Sequence, residues 1–173
     1  EVCSTIGNTD FKKCMVFHSL SKRSNLPGLR SGFVAGDADF IRPFLKYRTY
    51  HGCSMSMAVQ KASELAWADE EHVIENRALY AQKFRQAAEI LGDRMSTNDP
   101  GAGFYLWAKT PDGCDTFSRE LFEATGVTVL PGQYLGREVD GINPGAGFVR
   151  MALVAEPDTC REALERIKTF ITR

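Results

Sequence analysis

An α/β fold is predicted, closing in a small α/β domain whose helices pack on a mainly antiparallel sheet. Three observations predict it. Short apolar runs recur along the chain as CMVFH, GFYLWAK and FVRMALV. Between them lie longer segments with apolar residues at helical spacing. In the carboxy-terminal part the order reads strand, helix, strand, strand, helix, the signature of a compact layer of helices on a sheet.

The elements follow in order. Residues 14–18 suit a buried strand, and residues 29–35 suit a second, with a turn rich in glycine and proline between them. From Asp37 or Asp39 the pattern becomes helical and stops at Gly52, provided that Pro43 lies in the first turn. Residues 53–69 read as another helix, with Met57, Lys61 and Leu65 on one side and Ser54 as a possible cap. Residues 70–92 make a long helix in which Val73, Tyr80, Phe84, Ala87 and Leu91 recur, ended by Gly92. Strands are expected at 103–109, 127–132 and 148–154. A helix over 115–126 takes Asp115 as its cap and Gly126 as its stop. The last helix, 157–173, starts at Pro157 and carries the stripe Cys160, Ala163, Leu164, Ile167, Phe170 and Ile171. A domain boundary is expected inside the long helix, dividing 1–75 from 76–173.

Composition excludes several classes. The chain has 173 residues, 43% hydrophobic and 25% charged, with a formal net charge of −1. That charge gives no electrostatic footprint for nucleic acid or an anionic membrane surface. No apolar run approaches the roughly 20 residues that span a bilayer. Five cysteines without a CxxC pair, and three dispersed histidines, point to reduced thiols in a cytoplasmic protein and to no metal centre.

The stretch FHSLSKRSNLPGLRSGFVAGD, residues 17–37, asks for chemistry. Lys22, Arg23 and Arg30 crowd a turn between two apolar strands, and strand ends are where α/β proteins place their sites. Ser19-Leu20-Ser21-Lys22, then Gly28 and Arg30-Ser31-Gly32, resembles the lysine signature of class I, fold type I, pyridoxal-phosphate aminotransferases. The arginine follows the lysine by eight places, as that signature requires. Ser31 departs mildly from it, since the pattern has an aliphatic residue or alanine there. GFYLWAK, VTVLPGQYLG and NPGAGFVRMALV resemble the carboxy-terminal domain of the same family. The wording SKRSN-PG-RSGF most resembles the proteobacterial succinyldiaminopimelate aminotransferases of lysine biosynthesis.

The resemblance implies roles. Lys22 is the catalytic lysine that holds the aldehyde of pyridoxal 5'-phosphate as a Schiff base and then moves a proton. Ser19, Ser21, Lys22 and Arg30 bind the cofactor. Ser19 gives a hydroxyl hydrogen bond and Arg30 a charge-assisted pair to the phosphate, while direct contact by Ser21 stays open. Gly28 and Gly32 allow close backbone approach. Arg150 binds the substrate α-carboxylate, which explains an arginine between Val149 and Met151 on an apolar strand. Substrates are amino acids and 2-oxo acids, the intact protein is a homodimer, and no metal, nucleic acid or membrane takes part. Residues 1–75 are then a remnant of the large cofactor-binding domain, and 76–173 the small carboxy-terminal domain.

Only 21 residues precede Lys22. The family's glycine-rich phosphate loop, ring-stacking aromatic and ring-nitrogen aspartate find no match in them. The chain is therefore expected to be a carboxy-terminal fragment, inactive alone, with an exposed lysine loop and exposed apolar surface. Two other readings stay open: another class I aminotransferase or C–S lyase, or a cofactor-sensing domain of a transcription regulator. Among the remaining residues, Arg23 is expected to pair with an acid or a partner subunit. His18 should pack, and His51 and His72 should lie at helix ends or on the surface. Phe104, Tyr105 and Trp107 are expected in the core. Tyr134 is open between substrate channel and surface, and Ser54 and Ser56 between interface and helix cap.

Overall fold

The computed structural model describes residues 11–52, 54–97 and 100–172. Contacts divide the chain into two units, Glu1–Asn76 and Arg77–Arg173. The dividing point falls inside one helix.

The first unit is built on an antiparallel pair, β1 (Met15–Ser19) and β2 (Gly32–Gly36), in register from Met15 opposite Gly36 to Ser19 opposite Gly32. The short helix α1 (Leu20–Arg23) and a 3-10 turn at Pro27–Leu29 fill the connection. β2 therefore starts later than the apolar pattern suggests, because Pro27 and the left-handed Arg30 interrupt the strand. Helix α2 (Ala38–Arg48) follows, capped by Asp37, whose carboxylate accepts the Asp39 N–H at 3.0 Å. Because the helix starts at Ala38, Pro43 lies inside it and not in its first turn; there it removes one intrahelical N–H. Helix α3 (Met57–Ala68) is capped by Ser56, not Ser54, with the Ser56 hydroxyl accepting the Val59 N–H at 3.3 Å.

Asp37 also accepts the Lys13 N–H at 2.8 Å, tying the start of β1 to the start of α2. The backbone donors Lys13 and Asp39, with Lys12 nearby, hold its carboxyl below the usual aspartate range. A carboxyl lowered in the folded state stabilises above its unfolded value, and that contribution is lost as pH falls through the lowered one. Asp37→Asn is therefore expected to destabilise the chain at neutral pH and to flatten the loss of stability below about pH 4. Urea midpoints measured across pH would check it; parallel curves for the two proteins would contradict it.

Helix α4 (Glu71–Leu91) runs across the division into a 3-10 turn at Gly92–Arg94. The second unit carries a three-stranded antiparallel sheet in the order β3 (Tyr105–Lys109), β5 (Phe148–Ala152), β4 (Leu130–Pro131). Helix α5 (Cys114–Thr125) has Gly113 at its cap position, which leaves Asp115 in the first turn. It ends at the left-handed Gly126 (φ 72), as the glycine stop predicts. Helix α6 (Pro157–Ile171) buries Cys160, Leu164 and Ile167, the centre of the expected stripe.

Alternation along the sheet puts Leu106, Ala108, Val149 and Met151 on one face, packed with Phe117 and Leu121 of α5 and Leu164 and Ile167 of α6. β4 is only two residues long. It is an edge strand, where Pro131 is tolerated, and it runs into Gly132, where a Cβ would meet Gly145 O at 2.5 Å. Cys14, Cys114 and Cys160 are buried thiols, while Cys3 and Cys53 lie outside the described residues.

Lys83 of α4 is buried, 3% exposed, with its ammonium donating to Leu153 O at 3.0 Å and Ala155 O at 2.6 Å. It joins α4 to the segment between β5 and α6. Lys83→Met removes both charge-assisted bonds and is expected to cost about 1–3 kcal/mol, offset in part by relief of a buried charge. Hydrogen-exchange protection of the β5 amides would measure it; unchanged protection would count against the clamp.

Candidate active site

The loop end of the β1–β2 pair gathers Ser19, Ser21, Lys22 and Arg30. Ser19 closes β1 and caps α1. Its hydroxyl accepts the Ser21 N–H at 3.1 Å and donates to Ser31 O at 3.2 Å. The Leu20 N–H reaches the same Ser31 carbonyl at 3.1 Å, so the two strands are stitched just where the loop leaves them. Leu20 is fully buried and anchors the turn, while Lys22, two residues on, is exposed.

Arg23 fixes the other side of Lys22. Its guanidinium, with the side chain 6% exposed, pairs with Glu70 and donates to Ala66 O at 2.9 Å, so it closes the carboxy-terminal end of α3. It also lies 5.0 Å from the Trp67 ring centroid. The expected acidic partner is thus Glu70, and the carbonyls that Arg23 also takes leave no sequence signature. His18 packs its ring against Phe33 and Trp67 at 5.6 and 5.4 Å but stays exposed.

Arg30 sits in the left-handed region (φ 49, ψ 36). For a residue with a Cβ that costs about 1–2 kcal/mol. Among the described residues its guanidinium has one hydrogen-bond partner, Pro27 O at 3.0 Å. Two cavities open beside the loop. One, of about 370 Å³, is lined by Ser19, Gly32 and Arg48 together with Phe17, Phe33 and Phe44. The other, of about 430 Å³, is lined by Arg30, Gly32 and Arg48 with Thr49 and Ser54.

Arg150 belongs to the second unit. It lies on β5, the central strand, opposite Trp107 of β3 and Leu130 of β4. Val149 and Met151 point into the core, so Arg150 takes the opposite face. It is half-buried, 5.2 Å from the Tyr105 ring centroid, and makes no ion pair among the described residues. Tyr105 is 40% exposed, so it is not core as the pattern suggests, because it shares the Arg150 face. Trp107 is half-buried and stacks on Phe148 at 5.7 Å. Tyr134 is exposed, and its hydroxyl donates to Asp115 at 2.6 Å; that carboxylate pushes the phenol up from its ordinary value. His51 stacks on Tyr47 at 4.4 Å just past α2, and His72 bonds Asp69 at 2.7 Å in the first turn of α4.

The donor set suits a phosphorylated aldehyde. One loop carries an exposed primary amine, a hydroxyl at Ser21, a hydroxyl at Ser19 whose proton would have to turn from Ser31 O to a ligand, and a guanidinium with donors to spare. An amine condenses with an aldehyde, and hydroxyl and guanidinium donors hold a phosphate dianion.

Solved structures and curated proteins similar to this chain are aminotransferases. An aminotransferase from Neisseria meningitidis superposes with a TM-score of 0.88 at 50% identity, over 97% of this chain and 43% of that one. A structure described as a probable N-succinyldiaminopimelate aminotransferase from Thermus thermophilus gives 0.80 at 28% identity, over 93% and 43%. The LL-diaminopimelate aminotransferase of Maridesulfovibrio salexigens is 34% identical over 87% of this chain, which spans 38% of that relative's length. Members of this family work with pyridoxal phosphate. The family model described as aminotransferase class I and II matches residues 4–167, and the chain belongs to that family.

Proposed function

We propose that this chain supplies the lysine loop and the small domain of an aminotransferase that moves the amino group between N-succinyl-LL-2,6-diaminopimelate and 2-oxoglutarate. The observation that carries the reading is the single connection between two paired strands that holds Ser19, Lys22 and Arg30. The names of the relatives, an LL-diaminopimelate and an N-succinyldiaminopimelate aminotransferase, support the substrate class. The division at Asn76 supports assigning residues 1–75 to the large cofactor-binding domain and 76–173 to the small one.

Each residue then has a task. Ser19 and Arg30 would hold the phosphate of the cofactor. Lys22 Nζ would hold the aldehyde end of the cofactor and, once free, would carry the proton taken from the substrate Cα. When bound, pyridoxal phosphate supplies the electron sink that makes that Cα–H acidic. Arg150 presents a planar, permanently charged fork to the α-carboxylate and so orients the Cα–H bond. The intact protein acts as a homodimer on small amino and oxo acids.

The test is borohydride reduction of the full-length gene product with pyridoxal phosphate, followed by intact mass and peptide mapping. A phosphopyridoxyl adduct on Lys22 is expected, with none on this chain alone. An adduct elsewhere, or no adduct, would overturn the reading. Turnover of N-succinyl-LL-diaminopimelate with 2-oxoglutarate, compared with LL-diaminopimelate and aspartate, then tests the substrate.

A further inference from the structure

We propose that Arg48 is a second guanidinium for the cofactor phosphate, acting with Ser19 and Arg30; this rests on the function proposed above. Gly32 marks the place. It lines both cavities beside the lysine loop, Ser19 lines the first with it, and Arg30 lines the second. Arg48, at the end of α2, lines both. A Cβ at Gly32 would meet His18 O at 2.6 Å, so only glycine fits where these groups converge.

Charge points to a dianion. The residues lining the larger cavity include two guanidiniums and no carboxylate. Each guanidinium donates to one backbone carbonyl, Arg30 to Pro27 O at 3.0 Å and Arg48 to His51 O at 2.9 Å. Among the described residues neither meets an acid. Arg23 in the same unit does, through Glu70, so arginines here are paired where an acid is at hand. Two like charges facing one cavity are best offset by one ligand of charge near −2. A phosphate monoester carries about −1.5 to −2 at pH 7 and offers three acceptor oxygens to such forks. A single carboxylate would match only one of the two arginines.

The test compares pyridoxal phosphate with pyridoxal, which lacks the phosphate, by absorbance titration of the full-length protein. Arg48→Met is expected to weaken pyridoxal phosphate about tenfold to a hundredfold while leaving pyridoxal within about twofold. Arg48→Lys, which keeps the charge but not the fork, should recover part of the loss. Equal weakening of both ligands would mean that Arg48 merely supports the His51 turn and would overturn the proposal. So would unchanged affinity for pyridoxal phosphate accompanied by a raised KM for the acylated diacid, which would move Arg48 to the substrate. No Lys22 adduct in the unchanged protein would overturn the cofactor reading and this inference together. An adduct with Arg48→Met indistinguishable from the unchanged protein would overturn this inference alone.

Discussion

Lys22→Ala in the full-length protein is expected to lower transamination by about 10²–10⁴-fold or more, with the phosphate-binding residues still able to retain cofactor. The lower bound is the ordinary worth of one positioned proton carrier. Loss of the covalent anchor adds to it. The surroundings of Lys22 should survive the change, because neighbouring residues hold the turn together. Buried Leu20 and the Arg23 clamp on α3 do that. A small primary amine added from solution should restore part of the rate, since the missing atom is a base in an otherwise intact site. Single-turnover absorbance measurements would check both statements. Activity within tenfold of the unchanged enzyme would remove Lys22 from the chemistry.

Arg150→Met is expected to reduce kcat/KM for amino acid and oxo acid alike by about a hundredfold or more, mostly through KM. Two charge-assisted hydrogen bonds to a carboxylate are each worth about 1.5–3 kcal/mol. The strand that carries Arg150 is bonded on both sides and buries Val149 and Met151, so the backbone at 150 has little freedom to change face. Tyr105 lies within cation–π range and holds the guanidinium on that face without neutralising it. A carboxylate partner in that place would have competed with substrate. Arg150→Lys should recover less than the full rate, because an ammonium lacks the planar fork. Steady-state kinetics on both half-reactions, with the Lys22 adduct as a control for cofactor loading, would decide. An unchanged KM for both substrates would assign Arg150 to the fold alone.

Legibility in the sequence followed the range of the interactions. Gly126 stops α5 in a left-handed turn, Pro157 opens α6, and the apolar stripe of α6 is buried, because each of these is settled by neighbours within a turn or two. The order of strands and longer helices followed from the apolar period together with glycine, proline and cap signals, while the short α1 lies where only a turn was expected. Errors came where distant groups intervene. Pro131 and Gly132 cut β4 to two residues, since Gly145 lies against Gly132. Tyr105 looked like core because an aromatic on a strand usually is; its face was set by pairing with β5. Lys83 had no signature, being one lysine on an amphipathic helix, yet its ammonium meets two carbonyls 70 and 72 positions away. Arg48 was invisible for the same reason. Only the folded chain places it beside Gly32 with Arg30.

Gly32 and Gly36 bracket β2, and a Cβ at either would run into a carbonyl of the opposite strand, His18 O at 2.6 Å and Cys14 O at 2.1 Å. Residues 14–36 therefore behave as a cassette with two hard edges, one at each end of β2. Its contents can be exchanged by engineering or by drift, but the backbone separation at its mouth is set by the absence of side chains. A transplant of this loop onto another hairpin would have to carry both glycines, or the lysine would arrive out of step with the arginine that follows it.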